Sequence, residues 1–283
     1  MCAALRSLTG LSVTASIAMV LALAATPAAV AEEVNLLETN GYASLGTFIN
    51  GSSLKIRLDG EAGEAGTEVD WNNTFGDDDE TRFRLDGLWR FADRHYLRFL
   101  FTDYSRRKTA AFDEDIEWGG ETIPAEIDVE AELGFEIIAL NYQYAFLKRE
   151  NYEVSGTIGL HYTTFDASLR TEVELPGEEF TEERGGTASV DAPLPVIGLH
   201  GLWNIGRNFD LEGQAQFFAI SLDGLDGDII NYRAALIWQP KKYIGLGAGF
   251  DYFEVDVDAT KNRFTGSMTW EYSGPQVFFN IGF

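Results

Sequence analysis

The sequence predicts an all-β fold: an antiparallel transmembrane β-barrel of ten strands. Three observations carry this. Apolar residues recur at every second position through most of residues 42–283, the period of a strand with one oily face. The segments that keep this period are joined alternately by short and long connections, as hairpins in a closed meander are. Beyond residue 31 no apolar run approaches the ~20 residues a membrane helix needs, whereas a barrel strand needs only about 9–11.

The N-terminal segment sets the compartment. Arg6 precedes an apolar run from Leu8 to Ala25, and Pro27 and Ala29-Val30-Ala31 follow. A basic start, an apolar centre and a small-x-small site read as a secretory signal peptide of residues 1–31, leaving 32–283 as the mature barrel. Cys2, the only cysteine, falls in the signal, so the mature chain is expected to carry no disulfide and no thiolate nucleophile. Loss of Arg6 leaves 45 acidic residues against 20 basic ones, a formal charge of -25 against -24 for the whole chain. Such a surface repels nucleic acid, which is excluded as a partner. Hydrophobic residues at 45% exclude an acidic disordered chain as well.

The strands follow in order. The first is expected over Tyr42–Leu58, with Leu54, Ile56 and Leu58 on the oily outer face and Lys55 and Arg57 in the lumen. Phe83, Leu85, Trp89 and Phe91 then alternate with Arg82, Arg84, Asp86 and Arg90, and Leu97, Phe99 and Phe101 with Arg98 and Thr102. Ile138, Leu140, Tyr142, Tyr144 and Phe146 oppose Ala139, Asn141, Gln143 and Ala145. The next strand sets Tyr152, Val154, Ile158, Leu160 and Tyr162 against Glu153, Ser155, Thr157, His161 and Thr163. Ile197, Leu199, Trp203 and Ile205 make the sixth outer face. Phe209, Leu211, Ala215 and Phe217 make the seventh, opposite Asp210, Glu212, Gln214 and Gln216. Tyr232, Ala234, Leu236 and Trp238 give the eighth, and Ile244, Leu246, Ala248, Phe250 and Tyr252 the ninth, opposite Gly245, Gly247, Gly249 and Asp251. Trp89, Phe91, Tyr144, Phe146, Tyr152, Trp203 and Trp238 suit an aromatic girdle at the membrane interface.

Short turns are expected at 92–94, 148–151, 206–208 and 240–242, and long loops at 59–80, 108–128, 171–192, 223–228 and 256–262. Asn50-Gly51 as a hairpin, with a further strand through Val69, Trp71 and Phe75, would give twelve strands; eight is the other alternative. The acidic runs Asp77–Glu80, Asp113–Asp115, Glu178-Glu179 and Glu182-Glu183 fall in the long loops, and Arg94, Lys148, Arg149, Arg207, Lys241 and Lys242 in the short turns. The acidic runs read as solvated loop surface. None has the ligand spacing and glycine of an EF-hand, so no metal and no cofactor are expected.

The lumenal parity is the informative one. Lys55, Arg57, Arg82, Arg84, Arg90 and Arg98 come from the early strands, and Glu153, Asp210, Glu212, Asp251 and, as a further candidate, Glu271 from the later ones. Unpaired buried charge is costly, so these groups either meet across the lumen as a closed network or line a narrow aqueous slot. The glycines of the ninth strand leave room for long arginine side chains or for a water path. Of the three histidines, His95 lies beside a turn, while His161 and His200 point inward on adjacent strands. No nucleophile, base and oriented third group can be assembled from them, and no enzyme is expected.

The chain closes on P-Q-V-F-F-N-I-G-F, with Val277, Phe279, Ile281 and Phe283 on the oily parity and Phe278 breaking the pattern. This segment resembles the terminal strand of Gram-negative outer-membrane barrels, where it is the signal read by the barrel-assembly machinery. With the signal peptide, aromatic strands, short turns and acidic loops, most of the chain resembles the small barrels of the opacity, outer membrane protein W and outer membrane protein A transmembrane-domain type. It departs from the last in having no peptidoglycan-binding domain after the barrel. The resemblance implies residence in the cell outer membrane among its lipid and lipopolysaccharide, periplasmic chain ends, and a structural or surface-interaction role. A narrow porin-like channel for small solutes or ions is the alternative, and a lumenal or lipid-modifying enzyme the third.

Overall fold

The computed structural model describes residues 35–60, 63–76, 80–174, 181–206, 208–222, 224–261 and 264–283. The expected signal peptide, residues 77–79, Glu178-Glu179 and Arg207 lie outside them. Ten long strands form the barrel: β1 (Gly41–Leu58), β2 (Glu80–Ala92), β3 (His95–Ala111), β4 (Asp128–Lys148), β5 (Tyr152–Glu174), β6 (Thr181–Gly206), β7 (Phe209–Leu222), β8 (Leu225–Lys241), β9 (Ile244–Lys261) and β10 (Phe264–Gly282). Each pairs antiparallel with its sequence neighbour, and β1 closes on β10 from Tyr42↔Gly282 to Leu58↔Gly266. The sheet thus has no free edge, the condition a strand-built membrane span must meet.

Around one end, where the described chain begins at Asn35 and where Phe283 lies, the outer wall is an apolar belt. Ile138, Leu140, Tyr142, Tyr144 and Phe146 of β4 are exposed, as are Ile158, Leu160 and Tyr162 of β5 and Val277, Phe279, Ile281 and Phe283 of β10. An exposed belt of this extent is stable in hydrocarbon and not in water. Trp89, Phe91, Tyr144, Phe146 and Trp203 stand on it, as a girdle requires.

Toward the far end the same parities exchange meaning. On β4, Glu130, Glu132 and Glu136 continue the outward parity of Ile138, while Val129, Ala131, Leu133, Phe135 and Ile137 turn inward and are buried. The far half of the barrel is therefore polar outside and filled by an apolar core, in which Trp270 packs on Phe135 (ring centroids 3.9 Å), Tyr272 (4.9 Å) and Phe253 (5.6 Å). Above the belt the outer wall meets water, so burial drives the oily face inward.

This exchange corrects the first strand. Leu54 and Ile56 are buried inside, whereas Lys55 is exposed on the outer wall and Arg57 pairs there with Asp59 at 2.9 Å. Neither Lys55 nor Arg57 belongs to the lumen, nor does Glu271, which is exposed on the same wet wall opposite Glu254. It also corrects three of the expected loops. Residues 171–174 and 181–192 continue β5 and β6, and only residues 223–224 and 262–263 separate the next two hairpins. Their charged outward and small or apolar inward residues are strand alternation on a wet wall.

Among the described residues two connections are long, and both fold into the far mouth. In one, Val69–Asp70 bridges to β1 and a single helical turn, α1 (Trp71–Phe75), follows instead of an additional strand. Asp70 caps α1 by accepting from the Asn73 amide at 3.1 Å, and Arg106 donates to the Gly76 carbonyl at its other end. In the other, a small hairpin of Ile116–Trp118 and Glu121–Ile123 buries Trp118, whose indole donates to the Gly186 carbonyl at 3.0 Å. The two connections are stitched together: the Thr67 amide donates to the Glu117 carbonyl (2.7 Å) and the Glu117 amide to the Thr67 hydroxyl (2.9 Å).

Candidate functional site

The lumen within the belt is the candidate site. Period-2 geometry aims one parity of every strand inward, and at this level that parity is polar. Arg84 donates through Nε to Asp86 (3.1 Å) and through Nη1 to Asp251 (2.7 Å). Arg98 donates to Glu212 (2.7 Å) and approaches Asp86 at 3.5 Å. Arg233 donates to Glu212 at 2.6 Å and lies 3.6 Å from Asp86. Three guanidinium groups thus meet three carboxylates, drawn from β2, β3, β7, β8 and β9, with no net charge. The Tyr42 hydroxyl donates to Glu212 at 2.7 Å, and His200 Nε2 lies 3.0 Å from the same carboxylate.

A second cluster sits toward the end that carries Asn35 and Phe283. Arg90 donates to Glu153 at 2.8 Å, and the Tyr96 hydroxyl donates to the other oxygen at 2.9 Å. No charged side chain of either cluster is more than 7% exposed. Below it a 3₁₀ turn, Leu36–Glu38, packs into the mouth. Leu36 is fully buried among Tyr42, Leu88, Tyr96, Leu202 and Ile237, and its amide donates to Asp210 at 3.4 Å.

Of the residues expected in the lumen, Arg84, Arg90, Arg98, Glu153, Glu212 and Asp251 are brought into these clusters. Arg82 points inward but higher, with its guanidinium 3.8 Å from the Tyr104 ring centre at the base of the aromatic core. Asp86 and Arg233 are the central members that sequence reasoning left out. Both were legible: Asp86 shares the parity of Arg84, and Arg233 lies between the outward Tyr232 and Ala234. The glycines of β9 leave room for neither arginine nor a water path at Gly247. A Cβ there would come within 2.1 Å of the Phe278 ring, which explains why Phe278 turns inward against the pattern of its strand. Phe278 in turn lies under Arg233, 5.2 Å from its guanidinium carbon.

His161 and His200 do not meet. His161 faces Leu194 in the β5–β6 register, whereas His200 faces Ser155. The Ser155 hydroxyl makes no hydrogen bond to it. His95 is on the outer wall, bonded to the Tyr142 hydroxyl at 2.6 Å among Phe91 and Tyr144. Among the described residues no group of three or more histidine, cysteine or acidic side chains is arranged to hold a metal.

No protein-family model matches the chain, and no curated protein sequence does. Solved structures do. The outer membrane protease OmpT from Escherichia coli superposes with a TM-score of 0.57 at 11% identity, over 92% of this chain and 99% of that one. Ail, the attachment invasion locus protein of Yersinia pestis, gives 0.33 at 11% identity over 84% of this chain and 99% of that one. A Pseudomonas aeruginosa FadL homologue gives 0.37 at 9% identity over 87% and 91%. Only the first follows the path of this chain closely enough to compare, and at that identity the likeness speaks to fold alone. A closed ten-stranded antiparallel barrel, an apolar belt on its outer wall and this likeness together give the chain the fold of a Gram-negative outer-membrane β-barrel.

Proposed function

We propose that the protein is an outer-membrane barrel with a structural or surface-interaction role and a sealed lumen, its termini facing the periplasm and its acidic far half facing outward. The observation that carries this reading is the continuity of the filling. Leu36 occupies the terminal mouth, the two ion-pair clusters cross the belt, and aromatic side chains and two stitched connections fill the far half. Lipid and lipopolysaccharide surround the belt, and the barrel-assembly machinery reads the strand that ends at Phe283.

The arrangement of the lumenal histidines supports a non-enzymatic role. Ser155, His200 and Glu212 are all buried, Ser155 is not hydrogen-bonded to His200, and Glu212 is held by Arg98 and Arg233. A histidine that does not bond the serine, beside a carboxylate already engaged by two cations, is poorly placed to activate a nucleophile.

Planar-bilayer recording beside thermal unfolding in detergent tests the proposal. Wild type is expected to give no steady conductance. Arg84→Ala, which leaves Asp251 and Asp86 short of a partner, is expected to melt at lower temperature without opening a path. Reproducible conductance steps in the wild type, with an ion preference that shifts in Arg84→Ala at unchanged stability, would replace the sealed reading by a narrow solute channel.

A further inference from the structure

A groove of about 620 Å³ runs along the outer wall across β5–β9, inside the apolar belt. Its floor is a pair of small outward residues, Gly213 opposite Ala234; Gly201, opposite Gly213 on the other side, is covered by the Trp203 indole. Leu199, Trp203, Tyr232 and Phe250 raise its sides. At the end toward the far half, Tyr252 faces Tyr232 across the strand pair and donates its hydroxyl to Glu254.

Glu254 begins a ladder of carboxylates on the outer wall. It stands directly opposite Glu271 on β10; farther along, Asp256 faces Asp228 and Asp258 faces Asp226. Like charges opposed on paired strands destabilise a sheet. Among the described residues none of these six is in an ion pair; the cations nearest in register are on β1, Lys55 opposite Thr269 and diagonal to Glu271, and Arg57 opposite Ser267 and already paired with Asp59.

We propose that this groove binds a single-chain amphiphile with a cationic headgroup. The hydrocarbon chain lies along Gly213 and Ala234 against the Trp203 ring, and the headgroup sits among Glu254, Glu271, Asp228 and Asp256. Depth and charge both select this occupant. The groove lies at a level already surrounded by hydrocarbon, so an alkyl chain enters without desolvating any polar group, and it gains close contact with Trp203 and Phe250. The rim rewards only a cation. A second copy of the chain would bring the same carboxylates against this rim and be repelled.

The test is native mass spectrometry of the full mature barrel in neutral detergent, titrated with dodecylamine, protonated at neutral pH, and in parallel with dodecanol. One saturable dodecylamine per barrel is expected, with dodecanol at least about tenfold weaker. Gly213→Leu fills the floor, and its Cβ meets nothing nearer than the Trp203 ring at 3.9 Å. It is expected to weaken dodecylamine about tenfold or more, and Ala234→Leu, a second floor-filling change, to do the same. Neutralising the rim with Asp228→Asn and Asp256→Asn is expected to abolish the preference over dodecanol. Heat-shifted gel mobility establishes that each variant is folded. Equal affinity for amine and alcohol, or amine binding indifferent to both folded floor variants, overturns the proposal.

Discussion

Arg233 of β8 donates to Glu212 on the neighbouring strand at 2.6 Å, while its other arm lies 3.6 Å from Asp86 on β2, on the opposite side of the lumen. One side chain thus ties together walls that no backbone hydrogen bond connects. Arg233→Ala is expected to destabilise the barrel by on the order of 3–5 kcal/mol, because it leaves buried carboxylate charge uncompensated. The double variant with Glu212→Gln is expected to lose less than the sum of the single changes. Urea unfolding in detergent measures both, and strict additivity would show that the two groups do not act as a pair.

The reversal of polarity along β1 gives a paired prediction. Leu54→Asp places a carboxylate in the apolar core of the far half and is expected to prevent accumulation of folded barrel. Lys55→Gln, one residue away on the wet wall, is expected to change stability by no more than about 0.5 kcal/mol. Heat-shifted gel mobility of the two variants side by side decides it, and the opposite ranking would restore Lys55 to the lumen.

Trp270 is fully enclosed by Phe135, Phe253 and Tyr272. Trp270→Ala is expected to cost about 3–5 kcal/mol through lost contact and the cavity left behind. Trp270→Phe should recover much of this. A loss below about 1 kcal/mol would mean that the far half is loosely packed.

At the closing strand, the Asn40 amide donates to the Phe283 carbonyl at 2.8 Å and the Phe283 amide to Gly41 at 3.0 Å, while the ring stays exposed on the belt. Deleting Phe283, or Phe283→Asp, is expected to reduce outer-membrane accumulation sharply, and Phe283→Tyr to be tolerated. Fractionation and immunoblotting provide the measurement; normal insertion of the deletion would remove any assembly role from this residue.

In the β2–β3 turn, a hydrogen bond from Lys148 at 2.8 Å and the charge of that ammonium hold the Asp93 carboxyl below the ordinary carboxylate range. A lowered folded-state pKa adds stability that is present above the unfolded value and is lost as pH falls through the folded one. The effect is confined to acid and is small for so exposed a group. An NMR titration is expected to find the Asp93 midpoint below the ordinary range in the wild type and back within it in Lys148→Met. An unchanged midpoint would show that the contact does not persist in solution.

Period disclosed the strands, and the alternation of short and long connections favoured ten of them over twelve or eight; at the level of the belt the barrel reading then set the lumenal parity, because hydrocarbon outside and polar groups inside leave a regular trace. What the period cannot carry is the sign of the face. Leu54 and Leu140 both belong to oily faces, yet one points into the core and the other into lipid, since the medium outside the wall changes between their heights. The clue lay in the opposing charges: on β4 a single parity passes from Glu136 to Ile138. The ion-pair clusters were half legible for a different reason. Parity shows that Arg84 and Asp251 both face inward, but which arginine meets which carboxylate across the lumen depends on the stagger of the closed sheet, which no local pattern records.

The handover from carboxylate to hydrocarbon recurs around the wall, at Asp103 after Phe101, Glu136 before Ile138, Asp228 before Ile230 and Glu254 after Tyr252. It works as a depth gauge. Sinking the barrel by one residue pair would draw this ring of anions into the acyl chains, and raising it by as much would lift Ile138 and Ile230 out of them while drawing Lys241 and Lys242 in, so the molecule's vertical position is set from both directions at once. Such a barrel resists bobbing, and a membrane of different thickness would have to bend to meet it.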